Sequence, residues 1–188
     1  RMTLGVGVGY SDVEFEALGT SFKDRGARME EQITVMRKLW TEESVNVQTK
    51  WHTLRDVALS PRPIQRPIPI WFGLGSDGKP VPPDPVLERI GRLGDGWLPL
   101  FQPGPESQVA VDKVHAAARE AGRKSSDVVM ELNLIIGDKN RTQLLDELKR
   151  MRDFGATQVN VHFPAKSARE EIEGAKRFRE VMDAWASV

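Results

Sequence analysis

The chain opens with RMTLGVGVGY, in which Gly5, Gly7 and Gly9 alternate with valines and a leucine. Glycines in such a position could bind a dinucleotide, which needs G-x-G-x-x-G at a strand-to-helix turn and an acidic residue about 20 positions later at a strand end. Here the third glycine comes one position early, and residues 28–31 have the pattern of a helix. A Rossmann-type nicotinamide enzyme is therefore disfavoured. Side-chain-free positions on one strand face instead leave room for a ligand or for a close packing neighbour, and the sequence favours neither.

Other residues with reactive side chains lack the spacing of a known centre. The chain has no cysteine, which excludes disulfides, thiolate nucleophiles and Cys-based metal sites. We find no H-x-x-x-H spacing for a metal and no G-x-S-x-G turn for a catalytic serine. His52 is expected to pack and His115 to lie at the surface, whereas His162 faces either the ligand side of its strand or the helix layer. The carboxylates lie on charged helix faces and are expected to be solvated.

The composition describes a globular domain. The chain has 188 residues, of which 39% are hydrophobic and 29% charged, with a formal net charge of zero. This balance argues against nucleic-acid and anionic-membrane partners, and no apolar run approaches the roughly 18 residues of a membrane span. A cytoplasmic location is the default expectation. Because Arg1 is not a usual start, we expect that residues upstream of it are missing.

Hydrophobic periodicity predicts the elements that must position these residues. A strand over 2–9 and a helix over 24–40 precede a hairpin over 45–54. Four strand–helix units follow, with strands at 68–73, 94–100, 128–136 and 158–163, and helices at 86–93, 106–121, 142–154 and 168–185.

Repeated strand–helix units with apolar strands predict an α/β fold, in which a parallel sheet is covered by helices. A doubly wound open sheet and a part of a (β/α)8 barrel both satisfy this order. A complete barrel takes about 250 residues, so five strands in 188 residues suit strands four to eight of such a barrel. We therefore expect residues 1–188 to form a single domain, an incomplete barrel without its N-terminal strands.

Five motifs follow one another along the chain: LGVGVGY, DVEFEALG, DRGARMEEQITVMRKLW, PRPIQRPIPIWFG and RLGDGWLPL. Together they resemble the bacterial-luciferase-like flavin oxidoreductases. The similarity is clear over residues 1–100 and looser beyond, and the nearest group is that described as coenzyme F420-dependent oxidoreductases. It implies a TIM barrel in which LGVGVG is the fourth strand and its glycines line the cofactor side.

The resemblance also implies a cofactor site at the C-terminal ends of the strands. The residues implied are Gly7, Gly9, Arg28, Gly73, Gly75, Ser76, Gly94, Asp95, Gly96 and Trp97. Backbone N–H groups of the GLGS and GDGW turns would bind the cofactor phosphate, and Arg28, preferred over Arg25, would add a charged contact. The chain departs from the family pattern at Leu74 and in the insertion DGKPVPPDP. The GDGW turn could instead be a plain helix stop and strand start.

The activity implied by the resemblance is that of an oxidoreductase or monooxygenase that uses FMN or F420 on a small organic substrate. The catalytic acid or base is unassigned, and no metal is expected. Exposed strand edges favour association, so we expect a homo-oligomer. The alternatives are a non-catalytic or truncated relative that binds a phosphate-bearing ligand and, less favoured, the nicotinamide enzyme.

Overall fold

The computed structural model describes residues 2–73 and 81–186, which form two compact units. Unit 1 comprises residues 2–73, Pro83–Gly96 and Lys113–Val128, and unit 2 comprises 81–82, Trp97–Asp112 and 129–186. The strands are β1 (Leu4–Val6), β2 (Val45–Gln48), β3 (Thr53–Val57), β4 (Ile70–Gly73), β5 (Gly96–Leu98), β6 (Val129–Ile135) and β7 (Gln158–His162). The helices are α1 (Asp12–Ala17), α2 (Arg25–Thr41), α3 (Asp84–Leu93), α4 (Pro105–Glu120), α5 (Arg141–Asp153) and α6 (Ala168–Trp185), with a 3-10 turn at Ser125–Asp127.

Strand order follows the chain within each unit. In unit 1, β1 runs parallel to β4 with Val6 opposite Phe72. In unit 2, β6 runs parallel to β7 with Ile135 opposite His162. The hairpin β2–β3 forms a separate antiparallel pair. Parallel neighbours joined through helices are what the repeated strand–helix pattern predicts.

The core of unit 1 forms where helices cover the apolar strand β4. Ile70 and Phe72 are 0% and 2% exposed. Helices α3 and α4 approach closely at Gly91, because a Cβ there would lie 2.3 Å from the carbonyl oxygen of Val114 and 2.7 Å from Cβ of Ala117. A side chain at this position would therefore push the two helices apart.

The core of unit 2 is built on the alternation in β6. Met130, Leu132 and Leu134 are buried, while the residues between them are more exposed. The apolar stripe predicted on α5 is also buried, through Leu144, Leu148 and Met151. A capping box between Asn140 and Gln143 begins this helix, since each side chain accepts a hydrogen bond from the other residue's backbone N–H.

The first strand differs from the prediction. It covers Leu4–Val6 rather than residues 2–9, and the short helix α1 was not predicted. Only Leu4, Gly5 and Val6 pair with β4, and a turn follows at Gly9, whose φ of 79° is a left-handed conformation. The other predicted helices and strands are present, with ends that move by a few residues. Among the described helices, none combines the length and the apolarity needed to cross a bilayer.

Candidate functional site

The C-terminal ends of β1 and β4 lie side by side in unit 1. Since Val6 is opposite Phe72, the next residues, Gly7 and Gly73, lie at the same level of the sheet. Neighbouring strands are about 4.8 Å apart, so the two glycine backbones are adjacent. No described atom lies within 4 Å of a Cβ built on Gly7, whereas one on Gly73 would lie 3.8 Å from the Val6 carbonyl oxygen. Gly7 therefore borders open space.

A cavity of about 430 Å³ opens beside Gly7. Its lining combines the end of β1, α1 and the first turns of α2, through Gly7, Val8, Phe15, Thr20, Arg25, Arg28, Met29 and Gln32. The structure thus brings Gly7 and Arg28, two of the residues predicted to bind a cofactor, to one cavity. The cavity lies at the strand end where barrel enzymes hold their ligands.

Arg28 is held in this cavity by its neighbours. Its Nη1 donates a hydrogen bond to Thr20 Oγ1, and its guanidinium lies 5.6 Å from the centre of the Phe15 ring. A guanidinium has five N–H donors in a fixed fork, so donors remain for an anion after the bond to Thr20. Thr20 therefore orients the Arg28 side chain, and other N–H donors of its guanidinium are available to an anion.

Arg25 has a different task, because its donors bind the backbone. Its Nε donates to the Gly9 carbonyl oxygen at 3.2 Å and its Nη1 to that of Phe22 at 2.9 Å. Its guanidinium also stacks 3.7 Å above the Phe22 ring. A Cβ on Gly9 would lie 2.9 Å from the Phe15 ring, so this glycine serves the turn. Of the two arginines, Arg28 therefore keeps more donors for an anion, and its contact with the cofactor stays a prediction.

The glycine of the DRGAR motif makes room for a side chain of α3. A Cβ on Gly26 would lie 2.5 Å from Nη2 of Arg89, whose Nε donates to Glu30 at 2.9 Å. Arg92 donates to the second oxygen of Glu30 at 2.9 Å. Burial alone would raise the pKa of Glu30, but the hydrogen bonds from Arg92 and Arg89 outweigh it and lower the pKa. The expectation that Glu30 is solvated is therefore wrong, and the matching arginines on α3 were the signal that could have shown it.

Glu31 was also expected to be solvated, and it is not. Its Oε1 accepts hydrogen bonds from the Thr49 hydroxyl and from the Trp51 backbone N–H, and it lies 2.6 Å from Nδ1 of His52. These contacts attach the β2–β3 hairpin to α2. Burial acts to raise the pKa of Glu31, yet the hydrogen bonds prevail and the pKa is lowered.

Gly94 and Asp95 lie at the opposite edge of the sheet from Gly73. They precede β5, and the backbone N–H of Asp95 donates to the carbonyl oxygen of Ile70, the first residue of β4, at 2.8 Å. The prediction that this turn shares a rim with Gly73 is wrong for these two residues. The physical reason is direction: GDGW leads into a strand, so its first residues lie at the N-terminal edge.

Gly96 and Trp97 have packing roles. A Cβ on Gly96 would lie 2.5 Å from Cε2 of the buried Trp71, so the glycine accommodates an indole. Trp97 is 1% exposed and packs edge-on against Phe101, with ring centres 5.5 Å apart. The core fills the side-chain space at both positions, and the cofactor contacts implied for these two residues stay predictions.

Two further predicted residues, Gly75 and Ser76, lie outside the described residues. Across residues 2–73 and 81–186, no three His, Asp or Glu side chains come together as a metal site would require.

The sequence model of the luciferase-like monooxygenases matches residues 1–186. The chain belongs to the luciferase-like monooxygenase family. Its resemblance in sequence motifs is thereby confirmed over nearly the whole chain.

Curated relatives of this luciferase-like chain include two F420-dependent glucose-6-phosphate dehydrogenases. The protein from Intrasporangium calvum is 32% identical over 169 residues, a match that covers 87% of this chain and 45% of the relative. The protein from Amycolatopsis mediterranei is 32% identical over 181 residues, which covers 92% of this chain and 51% of the relative. The chain thus spans about half the length of these relatives.

Solved structures of low sequence identity share the fold. An F420-dependent secondary alcohol dehydrogenase has a TM-score of 0.75 at 17% identity, with coverage of 96% of this chain and 68% of that one. A monooxygenase from Streptomyces bottropensis has a TM-score of 0.71 at 20% identity, with coverage of 95% and 66%. These likenesses confirm the predicted fold class, the α/β barrel type of the luciferase-like enzymes.

Proposed function

We propose that this luciferase-like protein is an F420-dependent oxidoreductase of a small organic substrate, and that unit 1 binds the phosphate of the cofactor. The observation that carries the proposal is the cavity in which Gly7 and Arg28 meet at the C-terminal end of β1. Its residues fit a phosphate, because Arg28 retains donors and the position above Gly7 is open.

F420 is preferred to FMN because of the curated relatives. The two dehydrogenases from Intrasporangium calvum and Amycolatopsis mediterranei, each 32% identical, are F420-dependent by name. FMN is the second candidate, since the family is one of monooxygenases and a monooxygenase structure shares the fold. When bound, either cofactor would supply the hydride chemistry through its ring system.

The residues of this chain would bind and orient the cofactor. Gly7 would let a phosphate approach the backbone, since no side chain stands in the way. Arg28 would donate charge-assisted hydrogen bonds to the phosphate oxygens. Thr20 would hold the Arg28 guanidinium in place through the hydroxyl that already accepts its hydrogen bond.

A binding titration with one variant and one matched control tests this proposal. F420 and FMN are each titrated into the wild type, Arg28→Gln and Lys38→Gln, with cofactor fluorescence as the signal. Lys38 lies on the same helix but pairs with Glu42 at the surface, so its removal changes the net charge equally without touching the cavity.

We expect Arg28→Gln to weaken the preferred cofactor by about tenfold to hundredfold, since a hydrogen bond to a charged group contributes about 1.5–3 kcal/mol. Lys38→Gln is expected to bind as the wild type does. Equal affinities in all three proteins would refute the phosphate site. Tighter binding of FMN than of F420 by the wild type would reverse the choice of cofactor.

A further inference from the structure

A second group of polar side chains lies in unit 2, on one face of β6 and β7. The register places Asn133 opposite Asn160 and Ile135 opposite His162. The alternate residues of β6, such as Leu132 and Leu134, are 0% exposed and form the core. Asn133, Asn160 and His162 therefore project from the face opposite the core, and His162 is the last residue of β7.

The three side chains form one hydrogen-bonding cluster. Nε2 of His162 lies 3.0 Å from Oδ1 of Asn133 and 3.3 Å from Nδ2 of Asn160. Nε2 donates to Oδ1 of Asn133 in the tautomer that protonates it and accepts from Nδ2 of Asn160 in the other tautomer, so either tautomer makes one of the two hydrogen bonds. Gln102 supports the cluster by donating to the backbone carbonyl oxygen of Asn133 at 3.2 Å.

Each amide keeps capacity for a ligand. No hydrogen bond joins Nδ2 of Asn133 or Oδ1 of Asn160 to another residue of the described ranges. The cluster thus offers a free donor and a free acceptor beside an imidazole, a set that suits hydroxyl groups, because a hydroxyl both donates and accepts.

Such a face is unusual for a parallel sheet. Strands of this kind are apolar on both faces, and branched aliphatic side chains fill a barrel interior. Asparagine is also depleted in strands, and Asn160 and His162 are exposed here, so the face is accessible to a ligand. A ligand that hydrogen-bonds to Asn133 and Asn160 supplies a reason for their presence on this face.

The charges of this face select among ligands. Its residues on β6 and β7 are Glu131, Asn133, Ile135, Gln158, Asn160 and His162, which include no lysine or arginine. Burial raises the pKa of Glu131, so a negative charge is disfavoured there. A phosphate or carboxylate would find no cation on these strands, whereas a neutral polar group would find partners.

We propose that Asn133, Asn160 and His162 bind the hydroxyl groups of a neutral sugar or polyol substrate. This inference rests on the proposed function, since the bound molecule would be the substrate that the cofactor oxidises or reduces. It assigns a substrate class, hydroxyl-rich rather than apolar.

Nuclear magnetic resonance of the histidine ring protons tests the site directly. D-glucose is titrated into the wild type, with 1-butanol as an apolar probe that has a single hydroxyl, and His162→Gln identifies the His162 signal. Asn160→Leu removes one amide of the cluster. Gln158→Leu is the matched control, because it removes an amide from the same face, two residues earlier on β7.

We expect glucose to shift the His162 signal saturably and 1-butanol to leave it unchanged. Asn160→Leu should weaken glucose binding by about three- to tenfold, the usual effect of losing one neutral hydrogen bond, and Gln158→Leu should not. An unmoved His162 signal, an equal response to 1-butanol, or equal affinities of Asn160→Leu and the wild type would overturn the site.

The two proposals fail separately. If neither F420 nor FMN binds the wild type while glucose still shifts His162, the hydroxyl site stands and the oxidoreductase function falls. If a cofactor binds and glucose does not shift His162, the substrate class falls and the cofactor site stands.

Discussion

Arg37 on α2 and Asp95 before β5 form an ion pair in which Nη2 lies 2.8 Å from Oδ2. The same Asp95 oxygen accepts a hydrogen bond at 2.9 Å from the backbone N–H of Ile70, which is fully buried. Arg37 also donates to the Leu93 carbonyl oxygen at 2.8 Å. Asp95 therefore joins a helix, the first residue of β4 and the turn into β5, which is a structural task for a residue predicted to bind a cofactor.

Asp95→Ala is expected to destabilise the protein without weakening cofactor binding. It leaves the buried N–H of Ile70 without a partner, at a cost of about 1–3 kcal/mol in the free energy of unfolding. Denaturant unfolding measures this loss. Asp95→Asn is the control, because its amide oxygen can still accept from Ile70, and its loss should be smaller. A large drop in cofactor affinity at unchanged stability would show instead that Asp95 contacts the ligand.

Gly96→Ala is expected to destabilise the protein through Trp71. The added Cβ would fall 2.5 Å from the indole, which is buried and cannot move away freely, so we expect a loss of about 1–3 kcal/mol. Gly5→Ala is the matched control in β1, where no described atom lies within 4 Å of the new Cβ. Thermal unfolding of the two variants compares them, and similar melting temperatures would contradict the packing role of Gly96.

Gly7→Val should weaken cofactor binding and leave stability nearly unchanged, whereas Gly96→Ala is expected to lower stability. The space above Gly7 is open, so the free energy of unfolding should change little. The new side chain would enter the cavity beside Arg28, and we expect the cofactor to bind at least roughly tenfold more weakly, equivalent to about 1.4 kcal/mol. Isothermal titration and denaturant unfolding measure the two effects. Unchanged affinity would place the phosphate elsewhere.

The hairpin β2–β3 should loosen from α2 in acid. The pKa of Glu31 is lowered from its ordinary value of 4.5, so the folded state holds the carboxylate more strongly than the unfolded chain does. The ionised Glu31 carboxylate therefore stabilises the contact between the hairpin and α2 above pH 4.5, and this stabilisation is lost as the pH falls through the lowered pKa.

Hydrogen exchange of the amides of residues 45–57 measures this loosening. Glu31→Gln should exchange faster already at neutral pH and lose the acid step. Glu42→Gln, which removes the surface carboxylate that pairs with Lys38 just after the end of α2, should behave as the wild type. An acid step that persists in Glu31→Gln would assign it to another group.

Much of the architecture could be predicted because it depends on local patterns. The stripe of Leu144, Leu148 and Met151 has the helical period, and burial of one helix face follows from it. The order of strands and helices likewise follows from hydrophobic runs separated by glycine and proline. The short helix α1 was missed because its residues, DVEFEA, bury no side chain and give no apolar stripe.

For the site residues, too, motifs in the sequence predict the candidates, and the folded chain shows their contacts. Arg28 could be selected from a motif, yet only the folded chain shows that Thr20 orients it while Arg25 is occupied by backbone carbonyls. GDGW resembled a second phosphate turn, and the hydrogen bond from Asp95 to Ile70, the first residue of β4, shows that its first residues lie at the edge away from Gly73.

The sequence by itself determined the family, the fold class and the succession of elements, because these are encoded in periodicity and in motifs along the chain. Tertiary structure decided which polar groups remain free for a ligand. Glu30 is bound by Arg89, 59 residues away in the sequence, and Glu31 by His52, 21 residues away. Asn133, Asn160 and His162 come together because their strands pair. Hydrogen bonds between distant residues depend on distances of about 3 Å that no local pattern specifies.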